Sequence, residues 1–149
     1  MPSTSKAQLS RSINLKPGVL PTRLNDGQPI LEPEPIHSWE SRVVLNPAAS
    51  VVTNVDALAG LCSVLSLSQE QTDALHGAGG ACAMIYRAQG ESETPGGYAS
   101  SSLGLALFTP DLRLVYRHAD EVIKPRASFH NLGVEDPRCT RIGDIYYLY

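Results

Sequence analysis

The segment SSLGLALFTPDLRLVYRH, residues 101–118, indicates a β fold because it contains two strand-like segments joined by a short turn. Residues 101–109 and 112–118 are rich in apolar, β-branched and aromatic side chains, as β-strands are. Pro110 and Asp111 between them are typical turn residues. The stretch therefore predicts two neighbouring antiparallel strands.

Further strand signals lie on both sides of this stretch. The segment ACAMIYRA, residues 81–88, predicts a strand, and VVL, residues 43–45, predicts a short one that Pro47 ends or leaves at a sheet edge. Near the C-terminus, CTRI and IYYLY flank Gly143 and Asp144, with glycine at the first central position, as a type II′ hairpin turn prefers. We therefore expect an all-β protein of about six short antiparallel strands, which suit either a β-sandwich or about one and a half four-stranded propeller blades.

One interruption of the strand pattern, at about 54–80, predicts a short helical insertion. Its apolar residues recur at helical spacing: Leu58, Leu61, Cys62 and Leu65. Asn54 or Asp56 supplies an N-cap for a first helix. Ser68 and Gln71 resemble a capping box that begins a second helix.

Length and charge limit the function classes. The chain has 149 residues, a one-domain length, with a net charge of −3 and no basic run, which excludes an electrostatic footprint for nucleic acid. No apolar stretch approaches the ~20 residues of a membrane span, and the N-terminus lacks the hydrophobic core of a signal peptide. We expect a cytoplasmic protein without a membrane partner.

The ends of the chain and its cysteines give further expectations. Residues 1–16 lack periodicity and predict a flexible N-terminal tail, so the domain would occupy residues 17–149. The last strand reaches the final residue with no turn or cap after it, which is typical of a truncated domain. Three dispersed cysteines outside any CxxC spacing suggest neither a disulfide framework nor a zinc site, so we expect buried thiols and no metal.

The motif GVEDPR, residues 133–138, is the main candidate for a functional site. If this segment is extended, Glu135 and Asp136 point to opposite faces, whereas Asp136 and Arg138 share one. Pro137 restricts Asp136 and predicts an extended backbone there. Arg138 would lower the pKa of Asp136 and burial would raise it. The carboxylate is thus either catalytic or part of an ion pair that holds a loop to the sheet.

Three other polar or aromatic residues allow two interpretations each. Asn46, just before a proline at a strand end, either directs its amide into a cleft or is an ordinary turn residue. The planar guanidinium of Arg87 suits two neighbouring hydroxyl groups or an anion, but the side chain could also extend to solvent. Trp39 either stacks on a sugar or belongs to the core.

Several short motifs, taken in order, resemble one known family. PIL, WE, LNPAA, IYRA and SSLGLA precede GVEDPR and the hairpin with YYLY. This order is similar to glycoside hydrolase family 130, the β-mannoside phosphorylases and related mannosidases, over residues 21–149 apart from the helical insertion. The resemblance implies a five-bladed β-propeller of roughly twice this length, with the site in the central channel. The chain would then be a partial propeller that supplies the N-terminal blades.

The resemblance also implies roles for individual residues. Asp136 matches the family's general acid, which protonates the glycosidic oxygen, in some members through a hydroxyl of the mannosyl ring. It implies substrate binding for six further residues: Asn46, Arg87, Ser102, Trp39, Glu40 and Arg138. Asn46 and Arg87 would hold the sugar next to the scissile bond. Trp39 and Glu40 would lie near the channel entrance.

The implied activity is cleavage of β-mannosidic bonds, most directly by inverting phosphorolysis to mannose 1-phosphate. The substrate would be a β-mannoside oligosaccharide or a mannosyl-glucose compound, with inorganic phosphate as co-substrate and no cofactor. In the family, most phosphate-binding residues follow the part that this chain matches. A hydrolytic β-mannosidase and a noncatalytic or inactive carbohydrate-binding module remain alternatives. The exposed edges of an incomplete propeller also predict self-association into a homo-oligomer.

Overall fold

The computed structural model describes residues 25–92, 95, 97–126 and 133–149. The predicted flexible tail, residues 1–16, lies outside this part of the chain. Two antiparallel sheets and two α-helices account for most of the regular structure within it, so the all-β class is confirmed. No helix of the described residues is long and apolar enough to cross a membrane. The propeller arrangement stays a prediction.

The main sheet has four strands in chain order, each antiparallel to the next. They are β1 Val43–Val52, β2 Ala81–Gln89, β3 Ser101–Phe108 and β4 Leu114–Arg117. The predicted strand pair in residues 101–118 is thereby confirmed, although β4 begins later than expected because Leu112 has a φ of +68°. A second sheet consists of the hairpin β5 Cys139–Ile142 and β6 Ile145–Leu148. Gly143 has a φ of +61° in its turn, as the sequence predicts.

Of the two predictions for Pro47, a strand at the sheet edge is confirmed, because β1 is the outermost strand of its sheet, whereas a strand end at Pro47 was wrong. β1 continues through Pro47 to Val52, and the register with β2 shifts between Leu45 and Ala48. Such a bulge leaves residues outside the hydrogen-bond ladder, so a proline without an N–H is tolerated there. Asn46 lies in this bulge with a φ of +46°.

The helical insertion between β1 and β2 is confirmed. Helix α1 spans Val55–Val64, and the side chain of Asn54 accepts a hydrogen bond of 2.9 Å from the backbone N–H of Ala57. Helix α2 spans Gln69–Gly77. Ser68 and Gln71 form the predicted capping box, with reciprocal hydrogen bonds of 3.2 and 3.0 Å.

The core lies on both faces of the main sheet because alternate residues of β2 point to opposite sides. One face, with Ala81, Ala83 and Ile85, packs against the two helices. The other face, with Met84 and Tyr86, packs against the loop before β1. Every residue of β3 is buried. Cys62 and Cys82 are buried as predicted, and Cys139 is half-buried.

Candidate functional site

The segment 133–138 crosses the helix-facing side of the main sheet at the end of β2. The backbone N–H of Val134 donates a hydrogen bond of 2.9 Å to the carbonyl oxygen of Ser101, and Gly133 forms a parallel bridge to the same residue. These contacts place the following acidic pair above Arg87, which continues the line of helix-facing residues along β2. The main sheet therefore positions the candidate site.

The predicted geometry of the acidic pair was wrong. Asp136 has a φ of +46°, so its backbone is left-handed rather than extended, and it lies outside any strand. The alternation expected of a strand does not apply, and both carboxylates reach the same guanidinium. Nη2 of Arg87 lies 2.6 Å from Oε1 of Glu135, and Nη1 lies 3.5 Å from Oδ1 of Asp136.

Asn46 completes this cluster from the neighbouring strand. Its Nδ2 donates a hydrogen bond of 2.7 Å to Oδ1 of Asp136. Asn46 is close enough to make this contact because it directly follows Leu45, the cross-strand partner of Arg87. It lies in the bulge of β1. Three residues that the resemblance assigns to one site, Asn46, Arg87 and Asp136, thus lie together.

The charge state of Asp136 is set mainly by its neighbours. The hydrogen bond from Asn46 has the largest effect and lowers the pKa of Asp136. Desolvation opposes it, and the positive charges of Arg87 and Arg138 lower the pKa further. The side chain is 48% exposed. Asp136 is therefore a carboxylate at neutral pH, ready to accept hydrogen bonds.

Among the described residues, the side chain of Arg138 donates its hydrogen bonds to the backbone of its own segment. Its Nη1 donates to the carbonyl oxygens of Asp136 and Pro137 at 3.2 and 2.9 Å. Its backbone N–H and carbonyl pair with those of Tyr149 at 2.8 and 3.0 Å. Arg138 therefore stabilises the turn at Asp136 and joins it to the second sheet.

Ser102 does not point toward this cluster, but Ser101 does. Successive residues of β3 face opposite sides, and Ser101 accepts a hydrogen bond of 3.0 Å from Nε of Arg87. Ser102 lies on the other face, where it lines an open cleft of about 840 Å³ together with Trp39. Ser101 was missed because the sequence does not reveal which serine shares a face with Arg87.

Glu40 belongs to a separate, buried network. The fully buried carboxylate accepts a hydrogen bond of 2.7 Å from the hydroxyl of Tyr86 and forms an ion pair of 2.6 Å with Arg117. Its other oxygen lies 2.7 Å from Nδ1 of His37. Both carboxylate oxygens of Glu40 therefore already have partners within the protein, and the structure does not bring Glu40 to Asp136.

Trp39 packs beside this network. Its ring stacks against Tyr86 with centroids 6.3 Å apart and against His37 with centroids 6.5 Å apart. Its Nε1 donates a hydrogen bond of 3.0 Å to the carbonyl oxygen of Ala119. These contacts hold Trp39 against the core, on the sheet face opposite the acidic cluster.

Glu135 was also missed by sequence reasoning. It was placed on the opposite face from Asp136, although it makes the shortest ion pair with Arg87. Glu135 could have been predicted as a site residue only from the left-handed turn at Asp136, because this turn brings both carboxylates to the same side.

Together, the fold and the site define a mostly β protein with an exposed cluster of amide, guanidinium and carboxylate groups. Comparisons with known proteins find no match to this chain among family models, curated proteins or solved structures. The similarity to glycoside hydrolase family 130 therefore depends on the sequence motifs and stays a proposal.

Proposed function

We propose that this chain is the N-terminal part of a β-mannoside-active enzyme similar to glycoside hydrolase family 130, acting by inverting phosphorolysis. One observation carries the proposal: Asn46, Arg87 and Asp136 come from three distant parts of the chain and form one cluster. The motif resemblance assigns these three residues to one sugar-binding site. The contacts among the three side chains support this assignment, and they are observed independently of the motif resemblance.

The chemistry of the cluster suits a sugar. Neighbouring hydroxyl groups of a pyranose both donate and accept hydrogen bonds, and the cluster combines the amide and guanidinium donors with carboxylate acceptors. Among the described residues, the contacts of Asp136 with Asn46 and Arg87 both use Oδ1. Oδ2 can therefore accept a hydrogen bond from a sugar hydroxyl. The exposure of Asp136 leaves room for this approach.

The proposed reaction breaks the bond between the anomeric carbon and the glycosidic oxygen. Positive charge develops at the anomeric carbon while the departing oxygen gains negative charge, so that oxygen needs a proton. Asp136 supplies the proton, directly or through a mannosyl hydroxyl. Inorganic phosphate attacks the anomeric carbon from the opposite face, and mannose 1-phosphate forms with inverted configuration.

The lowered pKa of Asp136 requires that the ligand change its environment before proton donation. Exclusion of water and a nearby phosphate dianion would both disfavour the carboxylate and raise its pKa. In a relay, the sugar hydroxyl gives its proton to the glycosidic oxygen and takes the proton of Asp136 in its place, so Asp136 must be protonated in this case as well. Protonation of Asp136 is thus part of substrate binding in the proposed mechanism.

The sheet arrangement supports a partial propeller. Blades of β-propellers are four-stranded antiparallel sheets, and β1 to β4 have this form and order. The hairpin of β5 and β6 would begin the next blade. Residues beyond the part that this chain matches would then supply the cations that bind phosphate.

A noncatalytic carbohydrate-binding module is the second candidate, and the charge state of Asp136 favours it. A carboxylate with a lowered pKa accepts hydrogen bonds from hydroxyl groups well but donates a proton poorly. In this alternative the same three residues bind a mannoside without cleaving it. A hydrolytic β-mannosidase would use water in place of phosphate.

The test is to incubate the natural full-length protein with β-linked mannobiose, with and without phosphate, and to follow products by ³¹P and ¹H NMR. Formation of mannose 1-phosphate only when phosphate is present supports phosphorolysis. Release of free mannose with no consumption of phosphate indicates a hydrolase. Binding of the disaccharide without any product supports the noncatalytic module.

The matched variants are Asp136→Asn and Asp144→Asn. Asp144 lies in the turn of the second sheet and its side chain is fully exposed. We expect the Asp136 variant to lose at least about a hundredfold in turnover, as loss of a proton donor does, and the Asp144 variant to keep it. Turnover at the wild-type rate in Asp136→Asn would remove Asp136 from the acid role.

A further inference from the structure

The hydroxyl of Ser101 uses its full hydrogen-bonding capacity at the candidate site. Ser101 is completely buried. Its Oγ accepts hydrogen bonds of 3.0 Å from Nε of Arg87 and from Nε2 of Gln89, and donates one of 3.2 Å to Oε1 of Glu135. A serine hydroxyl has one donor and two acceptor sites, so this arrangement leaves it no alternative partner.

These contacts determine the orientation of Arg87. Its guanidinium is planar, so holding Nε at Ser101 and Nη2 at Glu135 fixes the whole group. The contact of Nη1 with Asp136 is longer, at 3.5 Å. Nη1 of Arg87 is held less tightly than Nε and Nη2, so Nη1 is the part of the guanidinium that can bind a ligand.

Ser101 also holds the segment that carries Asp136. Its carbonyl oxygen accepts from the backbone N–H of Val134, and Gly133 lies directly against its backbone with a φ of +102°. A Cβ atom at Gly133 would overlap the backbone nitrogen and oxygen of Ser101. The same residue thus anchors Arg87 through its side chain and Asp136 through its backbone.

We propose that Ser101 is a positioning residue of this site, which sets the geometry of Arg87 relative to Asp136. The inference deepens the proposed function and rests on it only where a sugar ligand is used as readout. Ser101 touches no substrate in this role, because its hydroxyl is buried beneath Arg87.

The first test needs no substitution. NMR exchange of the Nε–H proton of Arg87 with water should be at least about tenfold slower than that of Arg42, whose ion pair lies on the surface with both side chains more than half exposed. Equal exchange at the two arginines would overturn the proposal. This measurement decides the question even if a Ser101 variant fails to fold.

The second test compares Ser101→Ala with Ser102→Ala, which removes the neighbouring hydroxyl on the opposite face. The carboxyl group of Asp136 is titrated by ¹³C NMR in each folded variant. Releasing Arg87 should move the pKa of Asp136 upward in Ser101→Ala and leave it unchanged in Ser102→Ala. Ser101→Thr keeps the hydroxyl, so the pKa of Asp136 in this variant should return to the wild-type value. An unchanged titration in folded Ser101→Ala would contradict the role.

The third readout is the affinity for methyl β-mannoside, measured by calorimetry. Ser101→Ala should weaken binding about tenfold, which is the effect of losing one hydrogen bond of about 1.4 kcal/mol, whereas Ser63→Ala, which removes an exposed hydroxyl of helix α1, should not. Wild-type affinity in Ser101→Ala would count against the positioning role. Absence of binding by the wild type would count against the proposed function alone, because the exchange and titration tests use no sugar.

Discussion

Asn46 donates a hydrogen bond of 2.7 Å to Asp136, and both residues have a φ of +46°. Asparagine and aspartate adopt this left-handed region more readily than other residues with a side chain, yet it still costs energy. Two such residues that contact each other across 90 positions of sequence indicate a site whose local geometry is maintained by the surrounding structure. This pairing is the basis of the first prediction.

Replacing Asn46 should raise the pKa of Asp136, because the amide hydrogen bond is the largest cause of its lowering. Asn46→Gly removes the amide and tolerates the positive φ. Asn46→Ala removes it as well and should cost about 1 kcal/mol more in the free energy of unfolding, because alanine disfavours this φ. The pKa is measured by ¹³C NMR and the stability by urea unfolding. A larger loss in the glycine variant would contradict the backbone argument.

Glu40→Gln should destabilise the protein by about 3 kcal/mol, because it leaves the largely buried guanidinium of Arg117 without its counter-charge. Glu91→Gln is the matched control. Glu91 forms an exposed ion pair of 3.3 Å with Arg42, and its loss should cost no more than about 0.5 kcal/mol. Urea unfolding of the two variants checks the difference. Similar losses would show that the buried pair contributes no more than a surface one.

Gly133→Ala should be much more damaging than Gly143→Ala, although both glycines have a positive φ. A Cβ at Gly133 meets the backbone of Ser101, whereas a Cβ at Gly143 meets nothing within 4 Å. We expect a loss of about 1 kcal/mol at Gly143 from the φ alone, and at least about 3 kcal/mol at Gly133. Thermal unfolding provides the comparison. Equal losses would mean that segment 133–138 is not tightly held to β3.

Alkaline pH should destabilise the protein through Tyr86. Burial, followed by the neighbouring carboxylate of Glu40, raises the pKa of Tyr86 above its ordinary value of 10. The folded state keeps the proton where the unfolded chain loses it, so the contribution is fully present below pH 10 and declines as the pH rises toward the folded value.

The measurement is the free energy of unfolding of wild type and Tyr86→Phe between pH 9 and 11. The stability advantage of the wild type over the variant should shrink as the pH rises, because phenylalanine has no proton to lose. A constant difference would show that Tyr86 has no shifted pKa.

The features that sequence reasoning predicted correctly are those that depend on neighbouring residues. The capping box of Ser68 and Gln71 closes over three positions. The turn at Gly143 needs a positive φ that glycine provides at no steric cost. The strands β2 and β3 are apolar runs bounded by turn residues. Local chemistry determines each of these elements.

The errors arose where a distant contact overrode a local preference. Pro47 predicts either a strand end or a place at the sheet edge, and a bulge lets the edge strand β1 continue beside β2. Pro137 predicts an extended Asp136, but Asn46 and Arg138 hold it in a left-handed turn. The bulge depends on pairing with β2, and the turn depends on Asn46, 90 positions from Asp136, so neither could be inferred from local spacing.

The amino-acid sequence alone predicts an antiparallel β protein with a helical insertion, because strand patterns, turn residues and helix caps act over a few positions. Three features become visible only in the folded chain: Asp136 meets Asn46 and Arg87, Ser101 rather than Ser102 lies beneath them, and Glu40 is buried against Arg117. The physical reason is that these contacts depend on cross-strand register and on one left-handed turn, which long-range packing selects.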